Sequence, residues 1–191
     1  DRGQSPYTID AAMAAWGIET PPFAAADQAG LTTVARHDRH ADCMNWARVL
    51  SDAGRSGMGE TGGFYAYDAA RTASQDEAVT DLINKTRDPA PDMPAAHIQR
   101  LIVGAMANEA ARALREKQID HASDVDVVSV YTGFVPRWRG GLLHAATAEG
   151  LLKISHAMAS MKHLDAEFWT PEPVFTDLIK NGRGFDDVQM A

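Results

Sequence analysis

The chain has 191 residues, 45% of them hydrophobic and 23% charged, with a formal net charge of −8. That is enough for one ordinary domain or two small ones, and the acid excess argues against a broad nucleic-acid or anionic-membrane surface. A single cysteine, Cys43, excludes an internal disulfide and points to a reducing cytoplasm; no apolar run approaches the ~18 residues of a membrane span, and no secretory segment opens the chain.

In chain order, Asp1-Arg2-Gly3-Gln4-Ser5-Pro6 lacks an initiator Met, which fits processing, an engineered start or a fragment of something longer. Ser5 or Thr8 caps a helix that runs through the Ala-rich Ile9 to Trp16 and ends at Gly17. Glu19-Thr20-Pro21-Pro22 is loop, since Pro22 restricts Pro21 as well as itself. Helix resumes from Phe23 to Ala29 and stops at Gly30. Leu31 to Leu50 reads as one longer helix, with Val34, Trp46, Val49 and Leu50 inward. Gly54 to Gly63 is loop, Phe64-Tyr65-Ala66-Tyr67 alternates like a short strand, and Ala69 to Ser74 is turn. Asp76 to Thr86 is helix, with Val79, Leu82 and Ile83 inward.

Asp88 to Pro94 carries three prolines and predicts an extended linker. Beyond it, Ile98, Leu101, Ile102, Ala105, Met106, Ala110, Ala113 and Leu114 recur at spacings of three and four, one buried helical stripe. Ser123 is expected to cap the next helix, with Asp124 and Asp126 in its first turn where the helix dipole favours acid. Leu142 to Met161 forms further helices, Pro171 to Asn181 a last one, and Gly182-Arg183-Gly184-Phe185 an extended tail.

The motifs favour structure over chemistry. Gly57-Met58-Gly59-Glu60-Thr61-Gly62 spells a dinucleotide fingerprint, but a helix precedes it and an extended segment follows, so it reads as a structural turn. His37, His40 and Cys43 share a helix face without a second pair of metal ligands. His144, His156 and His163 are scattered, Cys43 has no oxyanion context or paired base, and Ser56 and Ser155 lie in no nucleophile elbow. No metal site and no catalytic residue is expected. Arg137-Trp138-Arg139-Gly140-Gly141 is the sharpest cluster. Its arginines can hold a phosphate or carboxylate; alternatively Trp138 anchors a turn and Arg139 bonds orphan carbonyls at a helix end. Arg137 is the better placed of the two for a ligand.

One pattern is written twice. Ile9-Asp10, Pro22-Phe23, Asp27 and Gly30-Leu31 are echoed by Val125-Asp126, Pro136, Arg137-Trp138-Arg139-Gly140-Gly141 and Gly150-Leu151. Such duplication predicts two similar helical domains packed as a pseudo-dimer.

These residues, with Asn108-Glu109-Ala110-Ala111-Arg112-Ala113-Leu114 and Gly62-Gly63-Phe64-Tyr65, resemble the C-terminal domain of the 3-hydroxyacyl-CoA dehydrogenase family. The form resembled is that of multifunctional fatty-acid β-oxidation enzymes (the fatty oxidation complex alpha subunit), over about residues 8 to 185. The resemblance implies an all-α fold of two tandem domains of the 6-phosphogluconate dehydrogenase C-terminal-like kind. Residues 1–87 would be a first copy truncated at its N-terminus, 88–94 a linker and 95–191 the second copy. It implies a preceding NAD-binding domain that holds NAD and a His-Glu dyad, an upstream Asn, an N-terminal enoyl-CoA hydratase, an acyl-CoA substrate and a possible thiolase subunit. None of those catalytic residues maps here, so the segment alone is expected to be inactive. Thr20, Pro21, Pro22 and Phe23 are the expected substrate-cleft residues, although Pro21 stands where the family has a flexible Gly. Phe134-Val135-Pro136 and Gly140-Gly141-Leu142 also depart from the family pattern. The alternatives are a dehydrogenase of the same superfamily without a hydratase and a stand-alone helical interaction module.

Overall fold

The computed structural model describes residues 4–37, 44–59, 61–87 and 93–188. His40, Cys43, the side chain of His37, Glu60 of the glycine loop and residues 88–92 of the expected linker lie outside the described residues. The chain divides into two compact units, residues 1–15 with 20–95 and residues 16–19 with 96–191. Its described residues form helices and a single two-stranded ladder, so the fold is all-α.

The first unit contains α1 (Pro6–Trp16, whose last residue, Trp16, belongs to the second unit), α2 (Pro22–Ala29), α3 (Leu31–His37), α4 (Trp46–Asp52), β1 (Tyr65–Tyr67), β2 (Ala73–Gln75) and α5 (Glu77–Thr86). Ser5 accepts a hydrogen bond from the Tyr7 amide at 3.2 Å, so it is the capping residue for α1. Leu31 to Leu50 is not one helix. Asn45 starts α4 afresh: its carboxamide oxygen accepts from the Arg48 amide at 2.8 Å while its nitrogen donates to the Ala35 carbonyl. Asp76 caps α5 in the same way. The expected turn at 69–74 is shorter than predicted, because Ala73–Gln75 pairs antiparallel with Tyr65–Tyr67. The core gathers Leu31, Ala35, Ala47, Leu50, Phe64, Val79 and Ile83, with Phe23, Val34 and Trp46 against it from half-buried positions.

The second unit contains α6 (Ala95–Arg115), α7 (Ala122–Tyr131), a 3₁₀ turn at Arg137–Arg139, α8 (Leu142–Glu149), α9 (Leu151–Ala159), α10 (Pro173–Asn181) and a 3₁₀ turn at Phe185–Asp187. The innermost line of α6 runs through Ile98, Leu101, Gly104, Ala107, Asn108, Ala111 and Leu114. Ile102, Ala105, Met106, Ala110 and Ala113 are only half-buried. Small residues win the inner line because α6 comes close: a Cβ on Gly104 would stand 2.8 Å from Ile154 of α9. Ser123 does not cap α7; the helix begins at Ala122 after His121, which makes no side-chain cap. The tail is not extended at its end, since Phe185 is 1% exposed and packs edge-on against Phe175 at 5.3 Å.

Candidate functional site

The residues that organise each unit are an acid, buried at Asp10 and half-buried at Asp126, and the helix start it serves. In the first unit, Pro21 has no side-chain acceptor and Pro22 has no N–H, so the first free amides of α2 are those of Phe23 and Ala24. Asp10, from the middle of α1, accepts from both, at 2.9 and 3.0 Å. In the second unit Gly141 precedes α8 and again offers no side chain. Asp126 accepts from Leu143 and His144, at 2.7 and 3.2 Å, and Ser129 accepts from Leu142. Asp126 therefore serves α8 rather than the dipole of its own helix. Gly141 is required for this approach, since its Cβ would stand 2.3 Å from that of Asp126.

A second acceptor ties down a later strand of chain. Asp27 accepts from the Phe64 and Tyr65 amides at 2.7 and 2.9 Å and from the Tyr67 hydroxyl at 3.0 Å. At the matching place in the second unit, the Thr147 hydroxyl accepts from the Phe185 amide at 3.1 Å. Gly63 and Gly184 precede these aromatics, and a Cβ on either would strike Asp27 at 1.9 Å or Thr147 at 2.4 Å. Further backbone bonds repeat. Val34 and Ile154 each donate to a glycine carbonyl, of Gly30 and Gly150, at 3.1 Å. Arg55 and Arg183 each donate to a leucine carbonyl, of Leu50 and Leu178.

Burial pushes the Asp10, Asp27 and Asp126 carboxyls above the ordinary value, against the amide bonds that pull them down. The same burial, reinforced by the facing carboxylates, pushes the Tyr65 and Tyr67 hydroxyls up. Tyr65 donates to Asp10 at 2.9 Å. These tyrosines stay protonated donors, and each contact of the network ties loop to helix.

The expected cleft residues form one turn. Thr20 and Pro21 are half-buried before α2, Pro22 opens it, and Phe23 packs against Phe64 with ring centroids 4.6 Å apart and the rings tilted by 59°. The Arg-Trp-Arg cluster is split. Arg139 donates twice to the Trp16 carbonyl, at 3.2 and 3.0 Å, and its guanidinium stacks on Trp16 and Trp138. Trp138 is otherwise 70% exposed. Arg137 instead borders a cleft of about 830 Å³ with Asp126, Tyr131, His144 and Asp186; His144 pairs there with Asp186 at 3.2 Å. No group of three or more metal-binding side chains occurs among the described residues. Sequence reasoning missed Thr147, Ser129 and Phe185, whose roles rest on tertiary contacts; the offset of 120 residues from Asp27 to Thr147 is the signal that finds the first of them.

The glycine loop does not fit a dinucleotide. Ser56 and Gly57 donate to the Gly62 carbonyl, Met58 to the Asp27 carbonyl and Gly62 to the Gly59 carbonyl, so these amides are spent inside the unit. It runs into β1, without the helix start that holds a pyrophosphate.

No protein-family profile matches the chain. It is 26% identical over 190 residues to a peroxisomal fatty acid beta-oxidation multifunctional protein of rice, covering 91% of this chain and 26% of the relative. It is 25% identical over 187 residues to a fatty acid oxidation complex subunit alpha of Idiomarina loihiensis, covering 93% and 26%. The chain thus spans about a quarter of the length of these curated relatives. In structure it is similar to the dehydrogenase part of multifunctional enzyme 1 of C. elegans, with a TM-score of 0.64 and 14% identity, over 92% of this chain and 42% of that one. Over nearly its whole length, then, the chain is similar in sequence to multifunctional fatty-acid β-oxidation proteins, and its fold is similar to that of the dehydrogenase part of one.

Proposed function

We propose that this chain is the C-terminal part of an enzyme that oxidises 3-hydroxyacyl-CoA to 3-oxoacyl-CoA with NAD, in a polypeptide that also carries an enoyl-CoA hydratase. The observation that carries the reading is the match over nine-tenths of the chain to a quarter of each multifunctional relative. The segment supports the dehydrogenase cleft and packs against the other domains. NAD and the proton-transfer residues belong to another domain; the spent amides of Gly57, Met58 and Gly62 support that assignment. Thr20, Pro21, Pro22 and Phe23 wall the acyl-CoA cleft, held in place by Asp10 through the first turn of α2. The two units are two copies of one domain, joined through residues 88–94 and arranged as a pseudo-dimer.

No helix among the described residues is long and apolar enough to cross a membrane. With its lone cysteine the protein is assigned to the cytoplasm, although the rice relative's name places that protein in the peroxisome. A thiolase subunit is the proposed external partner.

The intact polypeptide is the test. Supplied with 3-hydroxybutyryl-CoA and NAD it is expected to form NADH and acetoacetyl-CoA, and supplied with crotonyl-CoA to hydrate it. Failure of the first reaction overturns the dehydrogenase reading. Success of the first with failure of the second leaves a dehydrogenase without hydratase.

A further inference from the structure

The repeated hydrogen bonds match the two units residue by residue, and around the acid the units differ in what fills the space. Asp10 is the fifth residue of α1 and Asp126 the fifth of α7, so Tyr7 and Ser123 match as second residues. Tyr65 and Asp186 match as well, each following the phenylalanine whose amide Asp27 or Thr147 holds. In the first unit Tyr7 and Tyr65 pack edge to face, ring centroids 5.2 Å apart, and the Tyr65 hydroxyl donates to Asp10 at 2.9 Å. Two rings and a hydroxyl therefore close the space beside that acid.

In the second unit the same three positions hold Ser123, Asp126 and Asp186, and all three line the cleft of about 830 Å³. Both rings have been replaced by small polar side chains. One oxygen of Asp126 accepts the two α8 amides. Its other oxygen accepts no hydrogen bond among the described residues, whereas Asp10 has the tyrosine hydroxyl as a third donor. Asp186 cannot replace that donor, because it is a carboxylate and is paired with His144. Arg137 lines the same cleft, and its guanidinium has no partner among the described residues. Val127 and Val130 of α7 add an apolar wall.

We propose that this cleft binds a small phenolic acid, whose hydroxyl donates to the open oxygen of Asp126 and whose carboxylate pairs with Arg137. The first unit sets the ring and the hydroxyl: a flat ring takes the space that Tyr7 and Tyr65 fill there, and lies against the valines. A hydroxyl gives the Asp126 carboxylate the donor that Tyr65 gives Asp10. Arg137 sets the acid, since a guanidinium takes a carboxylate through two parallel bonds. One negative charge suits the cleft better than two, because Asp126 and Asp186 lie in the same lining and repel a second. The proposal stands on the repeated bonds and goes beyond the dehydrogenase reading, so it holds whether or not that reading does.

The test is a ligand-detected NMR titration of the intact protein with 4-hydroxyphenylacetate, beside phenylacetate, which lacks the hydroxyl, and p-cresol, which lacks the acid. 4-Hydroxyphenylacetate is expected to bind with a Kd on the order of 1 mM, and each of the others about tenfold more weakly. Arg137→Ala is expected to weaken 4-hydroxyphenylacetate about tenfold and to leave p-cresol unchanged. Asp126→Asn keeps an oxygen for the two α8 amides and puts a donor in place of the open oxygen. It is expected to weaken 4-hydroxyphenylacetate about tenfold and to leave phenylacetate unchanged. Ser123→Tyr returns the first unit's ring at an exposed position and is expected to abolish binding. Absence of binding up to ~10 mM overturns the proposal. So does equal binding of the three compounds, which removes the hydroxyl and the acid from recognition. Binding that the variants leave unchanged also overturns it, by placing the ligand elsewhere in the protein. If Ser123→Tyr does not fold, Arg137→Ala and Asp126→Asn decide between these outcomes.

Discussion

The two units make the same bonds with different chemistry. Asp27 anchors its loop with a carboxylate that takes two amides and a tyrosine hydroxyl, whereas Thr147 anchors the equivalent loop with one hydroxyl and one amide. Asp10 and Asp126, by contrast, are the same residue doing the same task. What a helix start without a capping side chain demands is an anion for two adjacent amides, and that demand fixes the residue type. What a loop demands is any acceptor, and there the two units differ. The first unit's larger set of donors makes Asp27 the more rigid anchor.

The glycine beside each anchor separates the two most sharply. Gly63→Ala is predicted to cost about 4 kcal/mol, because the new methyl meets an oxygen of a carboxylate that three donors hold in place. Gly184→Ala is predicted to cost about 2 kcal/mol, because the Thr147 methyl it meets can turn away. Urea unfolding of both variants checks the order, and equal costs would show that the anchors are equally rigid.

The caps come next. Asp10→Ala and Asp126→Ala each leave two amides unmet and are predicted to cost about 2 kcal/mol. Asp10→Ala should be the worse, since it also strands the Tyr65 hydroxyl. A smaller loss for Asp10→Ala in chemical denaturation would remove Tyr65 from the account.

Asp27→Thr converts the first anchor to the chemistry of the second, at a predicted cost of about 1.5 kcal/mol at neutral pH. The carboxyl's folded value lies above 3.8, so the folded state takes up its proton first. Protonation of Asp27 therefore adds stability that is fully present below 3.8 and is lost as pH rises through the folded value, leaving the three hydrogen bonds as its contribution at neutral pH. The gap between the parent protein and Asp27→Thr should thus widen on acidification from pH about 7 to about 4. Denaturation midpoints along that series that converge instead would contradict the burial of Asp27. Smallest are the arginines. Arg139→Ala should cost about 1 kcal/mol through its bonds to the Trp16 carbonyl, and Arg137→Ala less than about 0.5 kcal/mol. Thermal melts that reverse the pair would move the structural role to Arg137.

The sequence announced the helices where Gly and Pro punctuate it: Gly17, Pro22, Gly30, Gly141 and Gly150 all mark ends or starts. It also announced Asp10 and Asp126 as a repeated pair, though not the helix each serves, because an acid early in a helix reads equally well as a partner for its own dipole. The break between α3 and α4 was hidden because no Gly or Pro stands between His37 and Asn45 to mark it. Asn45 ends the continuity by competing for the backbone, a choice made by contact with Ala35. Phe185 was hidden for the opposite reason: a lone aromatic in a glycine-rich tail carries no periodicity, and only packing on Phe175 makes it core. The turn from Thr20 to Phe23 was legible as a turn from its prolines, while what it faces depends on residues far along the chain.

The most direct measurement is NADH formation from 3-hydroxybutyryl-CoA and NAD by the purified 191-residue chain, beside the intact protein at equal molarity. The account predicts turnover by the intact protein and none by the chain, whose acids and glycine-loop amides are committed to its own loops. Turnover by the chain alone would contradict it, placing the cofactor site and the proton-transfer residues within these two helical units.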